Sequence, residues 1–153
     1  MGDEQVTADD LDKELIDQLH AATLKASDSC FEIKKLCATV IVPTGTLVAL
    51  FSERQLNVAV FMSGLLVISF FWIADAVGYY YQRRLRAAMN VAWQRRADRC
   101  QESWAPPSTS RLSPIRAAFN GSMTFYALLG APVMIALILF AFGIIQSPAI
   151  VSP

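Results

Sequence analysis

Charge is nearly missing from long stretches of this chain. Between Lys35 and Arg83 only Glu53, Arg54 and Asp75 are charged, and nothing charged follows Arg116 in the side chains. Charged residues make up 17% of the 153 residues and apolar residues 54%; a soluble domain typically carries about 25% charge. That excludes an ordinary soluble enzyme domain and predicts a small integral membrane protein. Histidine is almost absent: His20 stands alone, at a surface-like position, and is no metal site. The three cysteines, Cys30, Cys37 and Cys100, are not spaced as metal ligands and form no CxxC pair, so free thiols on the reducing side are expected. The seven glycines are scattered, and neither a phosphate loop nor a dinucleotide fingerprint can be assembled from them. With no nucleophile–base pair either, no catalytic residue, cofactor or metal is assigned, and the chain does not read as an enzyme. The acidic opening GDEQVTADDLDKEL lacks the basic start and early apolar run of a secretory signal, so the first apolar segment is expected to be a retained anchor.

What is present is apolar length. A helix needs about 20 mainly apolar residues to cross a bilayer. Residues 36–52, 55–74 and 123–145 each meet or approach that length without a charge, which predicts three membrane helices. The first is short and contains Pro43 and Gly45. The expected fold class is therefore all-α: an integral membrane protein with three transmembrane helices, an amphipathic N-terminal cytoplasmic helix and a cytoplasmic extension of the second span. The corresponding segments are 1–35 (acidic helix), 36–81 (transmembrane hairpin), 82–116 (basic helix and loop) and 117–153 (third span and external tail).

The zero net charge conceals a dipolar chain. Residues 1–35 hold nine acids and four lysines, and residues 82–116 hold eight arginines and two acids. Basic residues near span ends favour the cytoplasmic side, so the N-terminus and residues 82–116 are expected inside and the C-terminus outside, in a bacterial inner membrane. Thr7 and Asp10 have capping-box spacing, and Leu11, Leu15, Leu19, Ala22, Ala26, Cys30 and Ile33 then form one apolar stripe at helical period. No Gly or Pro occurs between Gly78 and Pro106, so span two is expected to continue as a helix over 80–104. Leu85, Met89, Ala92, Trp93, Cys100 and Trp104 share one of its faces. Two such helices can lie antiparallel with apolar stripes touching, which puts Asp17 near Arg99 and Glu32 near Arg84. PPSTSRLSP is expected to be an exposed loop. Arg83, Arg84, Arg86, Arg95, Arg96 and Arg99 are the candidate contacts to an anion, a lipid or a partner. Membrane lipids, a cytoplasmic protein and an anionic nucleotide all fit that chemistry. A nucleic acid is a poorer fit, because a cytoplasmic membrane loop is basic for topological reasons alone.

Inside the spans, Asp75 is the only carboxylate. It lies near the cytoplasmic end of span two among Trp72, Tyr79, Tyr80 and Tyr81, which read as an interfacial belt. Lys34, Lys35 and an arginine of a neighbouring subunit are its candidate partners. Asp75, Asn57 and Trp72 are the candidate membrane polar or gating residues. Thr39, Thr44, Thr46, Asn57, Ser63 and Ser69 add further polar atoms, which points spans one and two toward each other, another subunit or water. Ala74 with Gly78, and Ala127 with Ala131, are small-xxx-small pairs that permit close helix approach.

Residues 71–86 read FWIADAVGYYYQRRLR. This segment resembles the F-W-x-x-D-A-x-x-x-x-x-E-R-x-F-R pattern of small bacterial inner-membrane proteins found beside anti-phage defence systems. In those proteins it follows a first span entered through F-x-I-K. Phe71, Trp72, Asp75, Ala76, Arg83 and Arg86 match, with Phe31, Ile33 and Lys34 ahead of span one. Gln82 stands where the pattern has Glu and Leu85 where it has an aromatic, so no ion pair is carried over to position 82. The likeness covers about residues 28–90. It implies an oligomer that perturbs the membrane when triggered. The expected function is thus a channel, pore or membrane-perturbing effector controlled through the cytoplasmic helices. The alternative is a non-conducting anchor or assembly subunit that recruits a cytoplasmic partner.

Overall fold

The computed structural model describes residues 7–51, 57–101 and 113–145. Among them every regular element is helical and no strand occurs. Helix α1 spans Ala8–Phe51, α2 Val58–Cys100, α3 Pro114–Ala118 and α4 Thr124–Ala141, with a 3₁₀ turn at Gly121–Met123 before α4. Three helical stretches, Ala8–Phe51, Val58–Cys100 and Gly121–Ala141, are long and apolar enough to cross a membrane.

The capping box forms as its spacing predicts. The Asp10 backbone N–H donates to Thr7 Oγ1 at 3.2 Å and the Thr7 backbone N–H to Asp10 Oδ2 at 3.0 Å, which satisfies donors that a helix start leaves open. Asn57 starts α2 in the same manner, its Oδ1 accepting from the Val60 N–H at 3.3 Å. Helix α1 runs without interruption through Pro43. Helix α2 likewise crosses the change from apolar to arginine-rich sequence without a break. It stops at Cys100, with Gln101 at φ 54°, which is short of the expected end at 104. No glycine or proline marks that stop in the sequence. Where a loop was expected up to Pro114, that proline instead opens α3, because proline fits the first turn of a helix. Helix α4 ends at Ala141, short of 145, with Gly143 in the left-handed region at φ +71°, the residue type that adopts it without a Cβ clash. The 52–55 connection, residues 102–112, which hold Trp104 and most of the proline-rich loop, and the tail from 146 lie outside the described residues.

Two compact units divide the chain. One comprises Met1–Cys30 and Val77–Ala117, the other Phe31–Ala76 and Ala118–Pro153. In the first, the start of α1 runs antiparallel to the end of α2: Asp12 meets Arg95 and Arg99, and Cys30 meets Gly78. The buried positions on this part of α1 are Asp12, Ile16, Thr23 and Cys30. From Leu19 onward the expected stripe does turn inward, with Leu19, Ala22, Ala26 and Ile33 half-buried and Cys30 buried. Only at the start of α1 does the buried face shift, to Asp12 and Ile16, and leave Leu11 and Leu15 exposed. Ala92 and Gln82 are buried on α2. At the start of α1 an acid and an isoleucine thus take the inward positions where Leu11 and Leu15 were expected, because the ion pairs to α2 turn Asp12 inward.

In the second unit, the Phe61 and Phe140 rings lie 5.5 Å apart and Gly64 stands opposite Val133, which packs α2 on α4. Trp72 ties α2 to the stretch before α4. Its Nε1–H donates to the Ala118 carbonyl at 2.9 Å and its ring meets Phe119 edge to face at 5.3 Å. Val42, Leu47, Phe51, Leu66, Phe70, Leu128 and Phe142 all remain exposed. An apolar surface of that extent on a small chain calls for a cover other than water.

Candidate functional site

Asp75 is fully buried, at 0% exposure, and is the largest side chain sealed to that degree among the described residues. Its Oδ2 accepts from Lys34 Nζ at 2.5 Å. The lysine is mostly buried and also lies 6.0 Å from the centre of the Tyr126 ring. The helical period explains the geometry. Lys34 falls on the face of α1 that carries Cys37, also fully buried, so its flexible stem can carry the ammonium to the carboxylate. Of the candidates that the sequence offered, Lys34 is the partner. Lys35 turns instead to Glu32 of its own helix at 2.8 Å, so Glu32 is paired there and the expected approach to Arg84 is replaced by a local i,i+3 bridge.

Asp75 Oδ1 is buried as well and has no hydrogen-bond partner among the described residues. A buried ion pair recovers its desolvation cost only when the remaining lone pairs are also satisfied. This pair is half satisfied. It is therefore weak as a source of stability and strong as a constraint, since removing either charge strands the other.

Most of the other polar residues named in the apolar helices have local partners. The Thr39, Thr44 and Thr46 hydroxyls donate to the carbonyls of Lys35, Val40 and Val42 at 2.9, 2.9 and 3.0 Å, and Ser63 donates to Val60 at 2.8 Å. Such back-bonding satisfies a hydroxyl within its own helix. The hydroxyl protons of these four residues are thus taken up within their own helices. Asn57 is a helix cap, a role that an Asn directly ahead of an apolar helix signals. Trp72 braces α2 through its indole N–H.

The six arginines divide into two groups. Arg83 stacks on Tyr79 at 5.4 Å, and Arg84 and Arg86 are exposed. Arg95, Arg96 and Arg99 grip the first turns of α1. Arg96 donates through Nε and Nη2 to the two oxygens of Asp9 at 3.0 and 2.8 Å. Arg99 reaches Asp12 at 2.6 Å and Asp9 at 3.4 Å, and Arg95 reaches Asp12 at 3.2 Å. The expectation that put Asp17 at Arg99 is corrected to Asp12. At the start of α1 the apolar pattern leaves both the inward face and the sliding register open. The arginine pairs decide them, with Arg96 bidentate on Asp9 and Arg99 bonded to Asp12.

The Arg96 hydrogen bond holds the Asp9 carboxyl below its usual 3.8, with Arg99 adding to the effect against a smaller opposing desolvation. Asp10 is lowered chiefly by the Thr7 hydroxyl, and Arg99 is raised chiefly by its bond to Asp12. A carboxylate with a lowered folded value stabilises fully above its unfolded value and loses that contribution as pH falls through the lowered one. Acidification below about pH 4 is therefore expected to release the first turns of α1 from the arginines. Amide protection factors at residues 9–16, taken against the intrinsic exchange rate at each pH, should fall several-fold over that interval, and Asp9→Asn should blunt the change. Unaltered protection down to about pH 3 would show that the ion pairs do not hold this segment.

Cys30 and Cys37 are buried and Cys100 is exposed, and none of them is in a disulfide among the described residues. No group of histidine, cysteine and carboxylate side chains able to hold a metal occurs among the described residues. A cavity of about 620 Å³ lies beside Trp72, Ser69, Phe119, Asn120 and Thr124, a site that no motif in the sequence announced. No protein-family profile matches the chain, and no curated protein or solved structure is a significant match to it.

Proposed function

We propose that this chain is an integral membrane protein of a bacterial inner membrane that works, as a homo-oligomer, as a channel, pore or membrane-perturbing effector. The N-terminus and residues 82–116 lie in the cytoplasm and the C-terminus outside, following the excess of arginine and lysine on one side of the apolar helices. The observation that carries the reading is the Lys34–Asp75 pair. A fully buried carboxylate with an unsatisfied oxygen is expensive within apolar helices, and such groups mark pathways and switches. The exposed apolar side chains on all three long helices supply surface for lipid and for further copies. Three spans from one copy are too few to enclose a pore, so conduction needs an oligomer. Exposed Arg84 and Arg86, next to Tyr79–Tyr81, suit anionic lipid headgroups. The likeness at residues 71–86 supports a setting in phage defence. The chain is proposed to have no catalytic activity of its own.

A second reading has its own support. The back-bonded threonines spend their hydroxyl protons within their own helix, which favours a non-conducting anchor whose charged helices hold a cytoplasmic protein. Ion flux separates the two. Purified protein in liposomes should release a trapped ion on the first reading, and Asp75→Asn should change that release. Tight liposomes at every protein density would leave the anchor. Orientation is tested in intact cells: Cys100 should stay protected from an impermeant thiol reagent while a cysteine introduced at Ser152 reacts. Rapid labelling of Cys100 would reverse the assignment.

A further inference from the structure

The three arginines at the end of α2 converge on a single small volume. Asp9 and Asp12, one turn apart on α1, are bridged by the Arg99 guanidinium, with Arg96 closing on Asp9 and Arg95 on Asp12. We propose that this cluster is a binding site for a nucleoside polyphosphate, held in the present state by the chain's own carboxylates. The ligand would displace the first turns of α1. This deepens the effector reading by naming its trigger, and it rests on that reading only in taking the ligand as a trigger. Binding itself requires no particular topology or conductance.

The geometry is that of oxyanion recognition. Two carboxylates sharing one guanidinium present neighbouring pairs of oxygens, much as two adjacent phosphates do, and the planar guanidinium fork matches either. Each guanidinium carries five N–H groups; Arg96 spends Nε and Nη2 on Asp9, and Arg99 spends Nη2 on both Asp9 and Asp12. A polyphosphate brings more oxygens than two carboxylates and would engage the donors that remain. The site is open: the Arg95 side chain is 53% exposed and that of Asp9 45%. Trp93 stands at its edge, exposed, with the Arg96 guanidinium 5.7 Å from its ring centre. An aromatic face beside phosphate-binding arginines offers a stacking platform for a nucleobase. That platform favours a soluble nucleotide over a lipid headgroup, which has no base.

Apolar packing beside the carboxylates is limited. Leu11 and Leu15 are exposed, and Ile16 is the large apolar residue buried next to Asp12 at the start of α1. A competing anion has to displace that one side chain along with the ion pairs. An ion lock serving only to hold two helices together would have no such use for Trp93 and no gain on losing its own acids.

The test uses the full chain purified in detergent, with ATP, inorganic pyrophosphate and vesicles of anionic phospholipid as probes, followed by calorimetry and tryptophan fluorescence. ATP should bind saturably, and Asp9→Asn with Asp12→Asn should tighten binding by about tenfold, because the internal competitor is gone. Arg96→Gln with Arg99→Gln should weaken it by at least about tenfold. Trp93→Leu should weaken ATP but leave pyrophosphate unchanged. The asparagine pair keeps the test decisive if the glutamine pair fails to fold, since it must produce a gain. Failure of ATP to saturate, affinity indifferent to the loss of Asp9 and Asp12, or attachment to vesicles alone would each overturn the proposal. Flux without ATP binding would sink it while sparing the channel reading. Binding without flux would do the reverse.

Discussion

Asp75→Asn is expected to destabilise the protein by about 3–5 kcal/mol, the usual cost of removing one member of a buried ion pair. The asparagine fits the space, so the loss comes from Lys34, whose ammonium is largely buried and would face a neutral amide in place of its carboxylate. Lys34→Met should cost a similar amount for the converse reason, leaving Asp75 sealed with neither oxygen satisfied. The informative variant is the pair. Lys34→Met with Asp75→Leu removes both charges and the unpartnered Oδ1 together, and should return stability to within about 1 kcal/mol of the parent or above it. Asp75→Glu should be tolerated in part, since the charge survives with a longer reach. Thermal unfolding in detergent, read with oligomer size and ion flux, checks all four. A stable double variant that no longer releases ions would mean that the pair is kept for function at the expense of stability. Equal stability of Asp75→Asn and parent would show that Lys34 finds another acceptor and that the pair is incidental.

How far the sequence reaches can be judged at particular residues. Helix existence was legible: runs of about 20 uncharged residues leave few alternatives, and three helices of that length and apolarity are found. The continuation of α2 beyond Tyr81 was legible from the lack of any breaker. So was Lys34 as a candidate partner for Asp75, because both were placed at similar depth from the span ends. The apolar stripe of α1 was legible from Leu19 to Ile33, whose members are half-buried or buried. It was not legible in the first turns, where periodicity alone gives no reason to bury Asp12 and Ile16 in place of Leu11 and Leu15. That choice depends on the arginines of α2, more than 80 residues away in sequence. The register had the same defect, and Asp17 was as good a partner for Arg99 as Asp12 until two carboxylates were seen to share three guanidiniums. The end of α2 at Gln101 carries no residue-type signal, and α3, at five residues, is shorter than any helical period can reveal. The back-bonding of Thr39, Thr44 and Thr46 is not legible either, because composition does not say whether a hydroxyl proton bonds outward or to its own helix.

Gly78 offers the second large effect, and it tests the approach of α1 to α2. A Cβ built there would lie 3.1 Å from Cys30 Sγ, tighter than ordinary van der Waals contact, so the absence of a side chain is what lets the helices come this close. Gly78→Leu should cost about 1–3 kcal/mol, the range for forcing extra carbons into a packed contact. Gly78→Ala is the finer probe because two terms oppose. Alanine gains up to about 1 kcal/mol over glycine within a helix, while the sulfur must give way by a few tenths of an ångström. The net change should be small. Cys30→Ala removes the sulfur, so in that background the alanine at 78 should show its full helix-forming gain and the two substitutions together should be more stable than their separate effects predict. The quantity to measure is the coupling between positions 30 and 78 in a double-mutant cycle of unfolding. A coupling of about 1 kcal/mol in the favourable direction fits the close approach. Strict additivity, with Gly78→Leu also harmless, would mean that the helices stand apart at this point and that the antiparallel register through Asp12 and Arg99 does not extend to Cys30.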